Sequence, residues 1–310
     1  VTLTAGVFRR GQPGYIAPGT DEWLQCITPS KVAAILGVSR WESPYSLWHR
    51  MKKLVPPEDP KDIFQIGHDY EPAAANRYRS LNEGWKLSPG EVQFVLPESA
   101  FGFPAVCTLD RRGSRGRSRR VVEFKTARHM EDWGDDFTDQ CPEDYAAQVL
   151  AQMLFTGWTD HPGHLLVLGP YFNEHIYEIP FDLGVTAWIV QACSEFYASL
   201  SQDTPPPLDD SVPTYQCVRE LHPDIDGGTV EVDADLGVAV HNANDELKAA
   251  ETRLRGLKTR LLDQMGNAQH AVMGDLKVAT RSPHGRGGVA LNLARKHPAI
   301  QANDLRSKSA

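Results

Sequence analysis

The chain has 310 residues, enough for one large domain or two modest ones around a real hydrophobic core. With 41% apolar and 23% charged residues it has the composition of an ordinary water-soluble protein, and its richest apolar stretches, 149–158 and 165–172, are too short and interrupted to span a membrane. The net charge of −8 excludes a polycation that coats nucleic acid through bulk charge, while leaving room for local basic patches.

The first residues, VTLTAGVFRRGQPGYIAP, lack the apolar core of a secretion signal, so a cytoplasmic setting is expected. Residues 28–54 open on Thr28 as a candidate N-cap with Pro29 at the first helical position, and their apolar spacing predicts two short helices broken near Gly37 and Pro44. A longer helix is expected from Phe64 to Leu81, with Pro72 either in its first turn or at a kink. Val92–Leu96, Ala105–Asp110 and Val121–Thr126 read as successive strands, with Gly and Arg turn chemistry between the last two. PEDYAAQVLAQMLFTGW predicts a helix entered at Pro142 with acidic residues in its first turn. HLLVLGPY and EHIYEIPF then suggest a pair of strands, and Val185–Leu200 a further helix.

This order predicts an α/β fold, a central mixed sheet flanked by helices. The Pro/Asp-rich stretch SQDTPPPLDDSVPTY is the best internal break, dividing a domain at 1–203 from an extension at 204–310. In the extension, Val240, Leu247, Leu254 and Leu261 recur every seven residues, with Ala243, Ala250 and Leu257 between them. About three heptads of helix follow, able either to pair with another helix or to fold back on their own domain. DLKVATRS and GGVALNLAR close the chain as a strand pair.

The five cysteines, Cys26, Cys107, Cys141, Cys193 and Cys217, are widely spaced with no CxxC, which argues against a zinc site, an iron–sulfur cluster or a disulfide framework and for small core residues.

The chemistry concentrates in RRVVEFKTARHM. Residues two apart on a strand share a face, so Glu123 and Lys125 project together while Val122, Phe124 and Thr126 point the other way. A buried carboxylate needs a cation or a metal. Lys125 alone answers that need as a plain ion pair, but Asp110 closes a preceding strand, read as the hairpin partner of the one carrying Glu123, so that two carboxylates converge at one end of the sheet. Two hard oxygen ligands with open positions suit Mg²⁺, which can serve phosphodiester hydrolysis, with a lysine beside it to orient or help deprotonate water. Glu71, in GHDYEP, can add a carboxylate from the preceding helix; Tyr145 and Gln148 lie three apart on one helix face. Between Arg111 and Arg120 six arginines fall within ten residues: Arg111, Arg112, Arg115, Arg117, Arg119 and Arg120. Alone they read as a solvated hairpin tip; beside a nuclease site they suit sequence-independent contact with a DNA backbone.

The series Asp110, Glu123-x-Lys125 and Tyr145-x-x-Gln148, preceded by Glu71, resembles the PD-(D/E)xK nucleases of the RecB-like type, and within them the phage lambda exonuclease family in its YqaJ-like viral recombinase branch. The pieces that carry the resemblance stand in order as ITPSKVAAILG, GHDYEPAAANRY, CTLD, VEFKTA and YAAQVLAQML, over roughly residues 20–200. The resemblance implies a restriction-endonuclease-like core and a 5′→3′ exonuclease that digests one strand of linear double-stranded DNA with Mg²⁺, Mn²⁺ being a possible substitute, and leaves 3′ overhangs for recombination by strand annealing. It implies Asp110, Glu123 and the backbone carbonyl of Phe124 as metal ligands, with Lys125 acting on water and Glu71 and Gln148 completing the site. It places Ser30 on a terminal 5′-phosphate, with helix capping as the alternative, and Thr108 as an assisting hydroxyl. Arg111, Arg112, Arg115, Arg117, Arg119, Arg120 and Tyr145 are then the expected DNA-contacting residues. A ring-shaped homo-oligomer, a single-strand annealing partner, and a phage or prophage origin in a bacterial cytoplasm are implied by the same analogy. The chain departs from the family pattern in having no arginine just before ITPS; the nearest are Arg9, Arg10 and Arg40. A structure-specific or repair endonuclease of the same fold, or a non-catalytic DNA-binding protein, are the alternatives.

Overall fold

The computed structural model describes residues 6–56, 62–284 and 287–294, which form two compact units, 1–225 and 226–310. The first unit opens with β1 (Gly6–Phe8) and α1 (Asp21–Gln25), followed by α2 (Pro29–Ile35) and α3 (Pro44–Met51). Proline starts both α2 and α3, where its missing N–H costs nothing. Ser43 and Ser46 close a capping box on α3, while Thr28, at the N-cap of α2, makes no capping bond and instead meets Ser30 Oγ at 3.0 Å. Lys31 is buried and donates to the carbonyls of Trp23, Leu24 and Cys26, tying the end of α1 to α2.

Next come α4 (Asp62–Leu81), β2 (Lys86–Leu87), β3 (Val92–Leu96), β4 (Ala105–Leu109), β5 (Arg111–Arg115), β6 (Ser118–Thr126), α5 (Glu143–Thr156), β7 (Gly163–Leu168), β8 (Glu174–Ile179), α6 (Leu183–Ser201) and α7 (Val212–Leu221). Five strands form a sheet in the order β2-β5-β6-β7-β8, with β6 and β7 parallel and the other pairs antiparallel. A second sheet has the order β1-β3-β4. The α/β class with a mixed sheet flanked by helices is therefore observed, as expected of a restriction-endonuclease-like core.

Strand alternation assigns the faces. Val121 of β6 and Leu165 and Val167 of β7 pack with α2, α5 and α6 in the main core, while Val122, Phe124 and Leu166 meet Ala74, Ala75 and Tyr78 of α4 on the other side. Gly163 lets β7 approach α5: a Cβ there would stand 2.4 Å from Val149 Cγ1.

Some expectations change. The Arg-rich segment is not only a turn; its first half is β5, which pairs with β6 from Arg111 opposite Val122 to Arg115 opposite Ser118. The hairpin partner of the Glu123 strand is therefore β5 and not β4, which belongs to the other sheet through β3. Asp110 is the joint at which the chain leaves one sheet for the other. Pro72 lies past the first turn, inside the 20-residue α4, where it removes one backbone donor. The division expected at 203/204 falls inside the first unit, because α7 returns after the Pro-rich stretch and Thr214 donates to Ser43 Oγ at 2.7 Å.

The second unit holds α8 (Ala234–Met265) and the antiparallel sheet β9 (His270–Met273), β10 (Leu276–Pro283) and β11 (Val289–Leu293), in the order β11-β10-β9. The closing strand pair is observed; Arg295, the last residue expected in it, lies outside the described residues. Among the described residues no helix is long and apolar enough to cross a membrane.

Candidate active site

Glu123 sits on the α5 side of β6, 2% exposed. Three donors meet it: Lys125 Nζ pairs with Oε1, Gln148 Nε2 donates to Oε1 at 2.5 Å, and Gln152 Nε2 donates to Oε2 at 2.7 Å. Charge-assisted bonds of this kind offset the several kcal/mol that desolvating a carboxylate costs. Gln148 and Gln152 are one helical turn apart on α5, so a single face of that helix reads both oxygens. Gln152 also donates to the Thr108 carbonyl at 3.3 Å, linking the site to β4, and its own Oε1 is buried with no partner among the described residues. It is a site residue that sequence reasoning passes over, although AAQVLAQ carries the signal: the same face, four residues on.

Asp110 reaches the same strand from its joint. The Phe124 amide donates to Asp110 Oδ2 at 2.7 Å, so the carboxylate docks on the backbone between Glu123 and Lys125. Burial, then the Glu123 carboxylate, and more weakly Glu71, push the Asp110 carboxyl well above its ordinary pKa, against Lys125 and the Phe124 amide. Burial works against the Lys125 ammonium, but Glu123 and Asp110 outweigh it and hold its pKa above the ordinary lysine value. Lys125 is thus charged, and it lies 5.4 Å from the centre of the Tyr145 ring. That ring is stacked on Trp133 and carries the Arg40 guanidinium, itself bound to Asp144 at 3.1 Å.

Glu71 stands at the edge of this group. Its Oε1 meets His68 Nδ1 at 2.8 Å, and its Oε2 lies 3.6 Å from Arg111, whose NH1 donates to the Asp110 carbonyl at 2.5 Å. A cleft of about 430 Å³ opens here, lined by Glu71, His68, Arg111, Glu91 and the two N-terminal arginines Arg9 and Arg10. Ser30 is exposed at the start of α2, one residue past its first position, so it is not the N-cap. Thr108 faces Gln93, whose Nε2 donates to Thr108 Oγ1 at 3.1 Å.

The arginine hairpin divides into two groups. Arg115 and Arg117 are exposed, and Arg112 and Arg119 are half-buried. Arg111 and Arg120 are buried: the former sits over Phe124, the latter over Trp85 at 4.2 Å with NH1 3.3 Å from His164 Nδ1. Neither presents a free guanidinium surface. Four of the cysteines are core residues, Cys141 is half-buried, and all five are free thiols.

Among the described residues no three His, Cys, Asp or Glu side chains close into a metal cage. What remains is an open oxygen set, the Asp110 and Glu123 carboxylates brought to one strand by the Phe124 amide. Burial first and then the Glu123 carboxylate raise the Asp110 carboxyl, a penalty on its charged form that a hard divalent ion would offset, and an incomplete oxygen shell is the kind Mg²⁺ fills with water. The residues fit such an ion.

Residues 20–159 match the family described as the YqaJ-like viral recombinase domain. The matched segment, a little under half of the chain, is similar to that domain. It contains Ser30, Glu71, Asp110, Glu123, Lys125, Gln148 and Gln152, every side chain placed around the candidate site apart from the N-terminal arginines. Among solved structures, the chain resembles an alkaline exonuclease, LHK-Exo, from Laribacter hongkongensis, at 19% identity over 59% of this chain and 94% of that one, with a TM-score of 0.44. The same enzyme in complex with dAMP gives 19% identity, the same coverage and a TM-score of 0.42. No curated protein matches the chain. The match ends just past α5, so β7, β8, α6, α7 and the second unit lie beyond it.

Proposed function

We propose that the chain is a metal-dependent DNA exonuclease that digests one strand of linear duplex from 5′ to 3′ and leaves 3′ single-stranded ends for recombination by annealing. One observation carries the reading: the Phe124 amide anchors Asp110 beside Glu123 and Lys125, which assembles two carboxylates and an ammonium group on a single strand. The YqaJ-like domain match and the exonuclease activity named for LHK-Exo agree with it. A divalent ion bound by Asp110, Glu123 and the Phe124 carbonyl, with Glu71 at its edge, would neutralise charge on the scissile phosphate and lower the pKa of water.

The chain's own residues supply the rest. Gln148 and Gln152 hold Glu123 in one orientation. Lys125, charged and tethered to Glu123, donates to water or to a phosphate oxygen and fixes its position. Arg9 and Arg10 in the cleft, with Ser30 and the exposed arginines of the hairpin, supply contacts to DNA phosphates that carry no sequence information. The test uses duplexes labelled separately at each end, with and without a 5′-phosphate, in Mg²⁺, beside closed circular DNA. Loss of the 5′ label from linear duplex only, abolished by Glu123→Ala, is expected. Cleavage of closed circles would make the enzyme an endonuclease, and digestion that survives Glu123→Ala would remove the assigned site.

A further inference from the structure

We infer that α8 is a self-association element: two copies of the chain pair through it antiparallel, about a two-fold axis between Leu247 and Ala250. The helix runs for 32 residues, about 48 Å. Leu236, Val240, Leu247, Leu254 and Leu257 along it are between 44% and 60% exposed. They alternate with Ala243 and Ala250 in a seven-residue pattern that ends at Leu261. Gly237 and Gly256 lower its intrinsic helicity, so a helix of this length draws its stability from burial of that stripe.

Charge identifies the occupant. The first half of α8 carries Asp235, Asp245 and Glu246 against Lys248; the second carries Arg253, Arg255, Lys258 and Arg260 against Glu251 and Asp263. In a parallel pair the flanking positions would set Glu246 against Glu251 and Arg253 against Lys258, like charge on like at both places. Reversing one helix sets the acidic half of each copy against the basic half of the other and brings Glu246 to Arg253 on both sides of the axis. The same register places Leu247 opposite Ala250, Ala243 opposite Leu254, Val240 opposite Leu257 and Leu236 opposite Leu261. Large side chains thus face small ones near the centre and the stripe is covered along its length. A contact of this kind is self-complementary and closes at two copies. It is independent of the proposed nuclease reaction, whose residues all lie in the first unit.

The mass of the full-length chain in solution, measured by sedimentation or light scattering across a dilution series, tests the pairing. Leu247→Asp is expected to halve the mass of the assembly. Glu246→Arg and Arg253→Glu, both at exposed positions, should each weaken association by about tenfold, and the double exchange should restore it. Three results would overturn the inference: a wild-type chain that is monomeric throughout, single reversals that tighten association, as a parallel pair requires, or a double exchange that restores nothing.

Discussion

At the scale of the residue, the site depends on how one buried carboxylate is held. Glu123 has three donors, and removing one leaves charge without compensation while also freeing the side chain to turn. Gln152→Ala is therefore expected to lower nuclease rates by about 10- to 100-fold, the usual cost of losing a group that orients a metal ligand, and the loss should shrink as Mg²⁺ is raised. Rates that match the wild type at every Mg²⁺ concentration would show that Gln148 and Lys125 suffice. A second buried group lies on the opposite face of the sheet. His164 Nδ1 accepts from the Tyr78 hydroxyl at 2.9 Å and faces Arg120, and Nε2 lies 3.3 Å from Glu178 without hydrogen-bond geometry. Burial first, then Arg120, lowers its pKa to about 3. Between that value and the 6.5 of a free imidazole the unfolded chain holds a proton that the folded chain rejects, so stability is full above about pH 6.5 and falls as the pH drops toward 3. His164→Gln should flatten that fall in urea unfolding series; an unchanged pH slope would assign it to other groups. The period-two spacing of Glu123 and Lys125 made the centre of the site legible in the sequence, as did Asp110 by its place ahead of them. The fate of Arg120 was not legible, because Trp85, just before β2, and His164, on β7, which meet it, lie far away in the chain.

At the scale of the element, the hairpin of β5 and β6 shows how one composition serves two purposes. Alternation sends Arg120 inward onto Trp85 and leaves Arg115 and Arg117 exposed at the tip, with Arg115 also over that ring at 4.8 Å. Arg115→Gln with Arg117→Gln should weaken DNA binding equally for all sequences and reduce the slope of log K against log salt by about 2, close to one for each phosphate that is no longer neutralised. A salt slope that stays the same would place the tip off the DNA. Arg120→Gln should instead lower thermal stability, because it removes the buried guanidinium that packs on Trp85 and meets His164. Most helices and strands were readable because each carries its own signal: proline at the start of α2 and α3, acidic residues in the first turn of α5, apolar runs in β7 and β8. β5 was not, since RRGSR has neither apolar alternation nor β-branched residues and exists as a strand only because β6 pairs with it. The consequence reached the site itself: with β5 unseen, β4 took its place as the partner of β6, and Asp110 had to be read as a strand end rather than as the joint between two sheets.

At the scale of the whole molecule, composition and packing mark different places along the chain, for a similar reason. A Pro/Asp-rich stretch marks where the backbone cannot be helix or strand, yet says nothing about whether the segment after it returns. Here it does: α7 buries Thr214 and Cys217, and the Thr214 hydroxyl joins the Ser43 capping box that starts α3. Removing α7 therefore exposes an apolar face of α3 and strips one member from a buried chain of hydroxyls, a loss on the order of 1 to 3 kcal/mol for a helix docked by so few buried groups. In a domain of this size each kcal/mol shifts the melting temperature by about 2 to 4 °C, so a fragment ending at 203 should melt several degrees below one ending at 225. Thr214→Val in the longer fragment should reproduce part of the difference, because the methyl keeps the volume and loses the bond to Ser43. Equal melting temperatures for the two fragments would show that α7 is a passenger and return the boundary to the Pro-rich stretch.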